Sequence, residues 1–125
     1  KDICIPVQAR ASIELGTAMR DAEGSRLVED WLKTLPAPGD LVSSVIYEED
    51  ASGKPVLAFA LRDKVDDIFI ESATSAYFRA PEFHGDGTAR VRVDNLQDFS
   101  SLKGTELKLT FRQGQSGLEQ SLTLP

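Results

Sequence analysis

TARVRVDNL, residues 88–96, decides the fold. Ala89, Val91 and Val93 stand on one side of an extended chain, and Arg90, Arg92 and Asp94 stand on the other. A repeat of two marks a strand with one buried face, because successive side chains leave a pleated backbone in opposite directions. Downstream, TELKLTFR (105–112) repeats the pattern with Leu107, Leu109 and Phe111 on the apolar side. Upstream, PVLAFALR (55–62) reads as a further strand with Leu57, Phe59 and Leu61 on one face. The predicted core is therefore Leu57, Phe59, Val91, Val93, Leu107, Leu109 and Phe111.

Working outward, residues 41–49 are apolar on parts of both faces, as a central strand would be, and Asp50 to Lys54 form a hairpin loop. A charged turn is expected at 63–67. Residues 68–80 then read as one strand-like stretch with small polar residues at 72–75 in its middle. Loops follow at 81–87 and 113–117, a connection with one helical turn at 97–104, and a closing strand at 118–124. Near the N-terminus, Ile3, Ile5, Val7, Ala9, Ala11, Ile13 and Leu15 alternate with polar residues, which predicts a strand over 3–15. Pro6 cannot donate to a ladder, so that strand starts at an edge or carries a bulge. Leu27, Val28, Trp31, Leu32 and Leu35 instead recur at helical spacing, with Ser25 as cap and Pro36 and Pro38 as stops. The competing reading of 25–35 is a strand paired with 11–20 across a turn at 21–24. The expectation is a single β-rich domain over 1–125: a mostly β fold, an antiparallel β-sandwich or partly open barrel with one short helix near 26–35.

At 125 residues the chain fits one domain and is large enough to bury a core without a staple. Its longest apolar run, 56–61, is far short of the roughly 20 residues that span a bilayer. The first residue is Lys1, which points to an upstream segment removed as an export signal or lost at an engineered boundary. With 20 acids against 14 bases the net charge is −6, which disfavours nucleic acid and anionic membranes and allows a basic protein partner. Cys4 is the only cysteine, so no internal disulfide forms.

Signatures of catalysis are missing. His84, the only histidine, lies in a turn-forming stretch, EFHGDG (82–87). One His and one Cys far apart in the chain make a poor zinc site, and a Cys4–His84 nucleophile–base pair has nothing to support it. Asp63, Asp66 and Asp67 lack the alternating ligands and central glycine of a calcium loop. Nothing singles out a carboxylate pair for glycoside cleavage. Tyr47, Tyr77, Trp31 and Phe83 are candidates for a sugar-stacking face, although most are better used as core. No catalytic residue, metal site or cofactor is assigned.

If the strands run up and down, loops 50–54, 81–87 and 113–117 share one end of the sheet and 63–67 and 97–104 the other. The first end would gather Glu48, Glu49, Asp50, Glu82, His84, Asp86, Gln113 and Gln115 as a partner-binding surface. Residues 47–71 hold seven acids and three bases, which makes this region locally acidic. The order of ends reverses if 72–75 is a true turn.

Two stretches, IYEEDASGKPVLAFALRDKVDDIFI (46–70) and ARVRVDNLQDFSSLKGTELKLTFRQGQSGLEQSLTL (89–124), cover about half the chain. In size, acidity and strand pattern the chain resembles the periplasmic immunity proteins of the bacterial type VI secretion system, of the Pseudomonas kind that neutralises a peptidoglycan-cleaving muramidase effector. The resemblance rests on general pattern and transfers no functional residue to a numbered position. It implies a periplasmic location, no enzymatic activity, and a partner that is a secreted cell-wall hydrolase, muramidase-like, whose substrate groove is covered. The alternatives are a non-catalytic cell-envelope module that binds a glycan or a structural protein and, with less support, a small hydrolase.

Overall fold

The computed structural model describes residues 8, 10–12, 21–96 and 98–125. The chain divides into two compact units, Lys1–Lys33 and Thr34–Pro125. The strand expected at 3–15 falls mostly outside the described residues; Gln8 and residues 10–12 lie in no regular element.

Among its described residues the first unit holds one α-helix, α1, Ala22–Leu32. Its cap is Asp21 and not Ser25: the Asp21 carboxylate accepts the Glu23 N–H at 3.0 Å, satisfying a donor that an opening helical turn leaves orphaned. Gly24 makes this cap fit, since a Cβ there would sit 2.6 Å from Asp21 Oδ2. Residues 21–24, expected as a turn under one reading, are thus the start of the helix. Lys33 closes it and pairs with Asp30 at 2.8 Å. Leu27, Val28, Trp31 and Leu32 are exposed.

Among its described residues the second unit holds nine strands: β1 Ala37–Pro38, β2 Val42–Glu49, β3 Pro55–Leu61, β4 Asp67–Ser72, β5 Tyr77–Phe78, β6 Glu82–Phe83, β7 Thr88–Asp94, β8 Glu106–Gln113 and β9 Ser116–Thr123. They form two sheets, β1-β9-β8-β4 and β2-β3-β7-β5, with β6 also on β7. All pairings are antiparallel except β1 with β9. The inward residues of both sheets share one core. Leu57, Phe59, Val91, Leu107, Leu109 and Phe111 have no exposed surface, and Val93 almost none. Val65 and Leu102 are buried in the same cluster from the turns. The mostly β, sandwich-like fold with one α-helix among the described residues follows the alternation in the sequence, and the sheets do not close into a barrel.

Two expectations change. Strand β2 is an edge and not a central strand, and the outward apolar residue behind the central reading, Ile46, is exposed. The stretch 68–80 is not one strand. Ser72 and Thr74 hydroxyls bond each other at 3.1 Å, Ser72 Oγ accepts the Thr74 N–H, and Thr74 Oγ1 accepts the Ala76 N–H. Such short side chains offer the backbone an alternative to the ladder. The chain leaves the first sheet at Ser72 and enters the second at Tyr77.

Candidate functional site

The turn at 73–76 reverses the end to which every later loop belongs. Turn 84–87 lies beside the end of β3, where the Leu61 N–H donates to Gly87 O at 2.9 Å. Turn 62–66 lies beside the β8–β9 turn: Gln113 Nε2 donates to Lys64 O at 2.8 Å and the Gly114 N–H to Asp66 Oδ2 at 2.7 Å. Turns 62–66, 84–87 and 114–115 therefore share one end. The hairpin 50–54 closes the opposite ends of β2 and β3. There Tyr47 meets Phe99 with ring centres 4.8 Å apart and donates its hydroxyl to Pro125 O. The expected common end for 50–54, 81–87 and 113–117 is thus corrected: the last two share an end with 62–66, and 50–54 does not.

The eight candidate residues split accordingly. Glu48 and Asp50 turn to the outer face of the second sheet, where Arg90 Nε donates to Glu48 at 2.9 Å and Arg92 lies 3.6 Å from Asp50. Asp86 also reaches Arg90, at 3.7 Å, and Glu82 stands opposite Arg90 in the β6–β7 pairing. Glu49 is exposed at the hairpin. His84 is exposed at the cleft described below, Gln113 is half-buried as a brace, and Gln115 is exposed at the turn tip.

Local hydrogen bonds hold several carboxylates in their charged form. The Ser52 hydroxyl, then the Lys54 and Ser52 N–H groups with Arg92 nearby, bring the Asp50 pKa down to about 2. The Thr88 hydroxyl and N–H lower that of Asp86, and the Ser100 hydroxyl and N–H lower that of Asp98. Arg90 is held charged first by its bond to Glu48. The acids expected as an open docking surface therefore serve largely as turn caps and partners of the protein's own arginines. The arginine partners of Glu48 and Asp50 were not legible from sequence, because they sit about forty residues away and meet these acids only through strand pairing.

The shared loop end carries a cleft of about 530 Å³. Leu61, Val65 and Phe83 supply its apolar wall, and Arg62, Lys64 and His84 its polar rim. Phe83 keeps 43% of its surface exposed. Arg62 also contacts Asp40 at 3.5 Å. Of the aromatics weighed as a sugar face, Tyr47, Tyr77 and Phe83 do not converge, since Tyr47 is at the opposite end from Phe83 and Tyr77 lies under Arg79 on the outer sheet face. Asp63, Asp66 and Asp67 each accept a backbone N–H, from Lys64, Gly114 and Ile68, and so cap their turn. Among the described residues no group of three or more His, Cys, Asp or Glu is placed to hold a metal ion, and no helix is long and apolar enough to cross a membrane. Cys4 lies outside the described residues.

Comparison with family models, curated proteins and solved structures returns no match.

Proposed function

We propose that this chain is a non-catalytic periplasmic immunity protein that inhibits a secreted, muramidase-like peptidoglycan hydrolase by seating its braced loop end in the enzyme's glycan groove. The observation that supports it is the bracing of one loop end, where turn 62–66 is bonded to the β8–β9 turn and turn 84–87 to the adjoining end of β3, on a two-sheet core. Tips already held in place lose little conformational freedom on docking, which favours tight occlusion of a cleft. Phe83 is the apolar anchor, and Arg62, Lys64 and His84 form the polar rim around it.

The test is release of dye from labelled peptidoglycan by the producing bacterium's secreted muramidase, titrated with the parent protein and its variants. Phe83→Ala with Lys64→Glu should weaken inhibition by at least about tenfold, as loss of central anchors does. Glu49→Lys, on the opposite end, should change it less than about twofold. Equal inhibition by both variants and the parent would move the surface elsewhere, and peptidoglycan cleavage by the protein itself would end the inhibitor proposal. A glycan-binding module is the second reading, favoured by the exposed Phe83 ring in its cleft. It predicts retention on purified cell wall without any enzyme present.

A further inference from the structure

Strand β4 is the last strand of its sheet, so its outer edge pairs with no strand among the described residues. Its outward side chains are Asp67, Phe69 and Glu71, with Phe69 57% exposed. Beside this edge, between β4 and β5, run two hollows of about 330 and 420 Å³ that share Ile70 and Phe78. Ile68, Pro81, Ala76 and Tyr77 extend their walls. A strand edge with no partner strand among the described residues, beside hollows walled in part by apolar side chains, is the arrangement that accepts an added strand.

The paired edge of β4 shows what such a strand would carry. There β8 runs Lys108-Leu109-Thr110-Phe111-Arg112, with Arg112 opposite Asp67, Thr110 opposite Phe69 and Lys108 opposite Glu71. Leu109 and Phe111 face the core. The open edge offers the same two acids and the same exposed ring to the other side. A second copy meeting this edge about a twofold axis would set acid against acid, which is unfavourable across strands.

We propose that the open edge of β4 binds an extended segment of a partner protein with the pattern basic–apolar–any–apolar–basic, which adds a fifth strand to the first sheet. Its two basic residues face Asp67 and Glu71. The residue between them lies over Phe69, and its two apolar residues enter the hollows beside Ile70 and Phe78. The pattern is the same read in either direction, so it does not depend on strand polarity. The site uses none of the loop-end residues and stands or falls apart from the inhibitor proposal.

The probe is a labelled peptide with Lys-Leu-Thr-Phe-Arg between Gly-Ser flanks, compared with Glu-Leu-Thr-Phe-Glu in the same flanks. The whole 125-residue chain is titrated by fluorescence anisotropy and by amide chemical shifts. The parent should bind the basic peptide about tenfold more tightly than the acidic one, with shifts concentrated at 67–72. Glu71→Lys, at an exposed position, should abolish that preference, because each peptide then meets one like and one opposite charge, and Phe69→Ala should weaken both peptides. Equal affinity for the two peptides, no binding at millimolar concentration, or shifts away from 67–72 would each overturn the proposal.

Discussion

At the scale of single residues, the same residue type does different work according to what faces it. Phe111 and Phe69 lie on adjacent paired strands, yet Phe111 is enclosed by both sheets and Phe69 faces outward. Phe111→Ala should lower stability by about 3–5 kcal/mol, through lost transfer energy and the cavity left behind. Phe69→Ala should cost less than about 1 kcal/mol, and urea unfolding of both variants checks the contrast. Asp50 illustrates the acids. Its folded-state pKa is depressed, so its contribution is present in full above the ordinary aspartate range near pH 4 and is lost as the pH falls through about 2. Asp50→Asn should therefore unfold at lower urea than the parent at neutral pH. The gap should close as the pH is lowered from about 4 to 2; a gap that does not change with pH would show that the carboxylate charge is not what holds the hairpin.

At the scale of elements, turns decide where strands go. Gly53 lies in the β2–β3 hairpin at φ 74°, a region that a side chain with Cβ enters at a cost. No atom lies within 4 Å of a Cβ built there, so backbone strain alone sets the penalty. Gly53→Ala should destabilise by about 1 kcal/mol without altering the fold, measured by thermal unfolding together with unchanged far-UV circular dichroism. The turn at 73–76 works through side chains instead. Ser72→Ala removes the hydroxyl that receives the Thr74 N–H, and it should raise amide exchange at 73–76 while leaving β7 and β8 protected.

For the whole molecule, the net charge of −6 is unevenly used. Arg79, Arg90 and Arg92 answer Asp94, Glu48 and Asp50 across the outer face of the second sheet. The excess of acid therefore acts as a long-range field more than through named contacts at the loop end. If the partner is a basic hydrolase, its association rate should fall as salt rises from about 0.05 to 0.5 M, while the dissociation rate changes little. Stopped-flow measurement of both rates checks this. A salt-independent association rate would show that charge does not guide the encounter.

Residues 88–94 and 106–112 were legible as strands, with their buried faces, from sequence alone; 55–61 was legible as a strand, but Val56 and Ala58 bury its other face as well. Where one face meets a core and the other meets water, alternation is enforced position by position, and it survives without knowledge of neighbours. The helix was legible by its period, although its cap moved from Ser25 to Asp21 because a cap is chosen by backbone geometry that several nearby polar residues can satisfy. What only the tertiary structure decided was which elements meet. Ser72, Thr74 and Ser75 suit a strand or a turn equally, and that one choice set which loops share an end. It moved Glu48, Glu49 and Asp50 away from His84 and Gln115. It also placed Phe83, Arg62 and Lys64 around one cleft and left the outer edge of β4 without a partner strand among the described residues. Periodicity records burial, which is local to a residue; a binding surface is made by contacts between residues distant in sequence, and those arise only when the sheets pair.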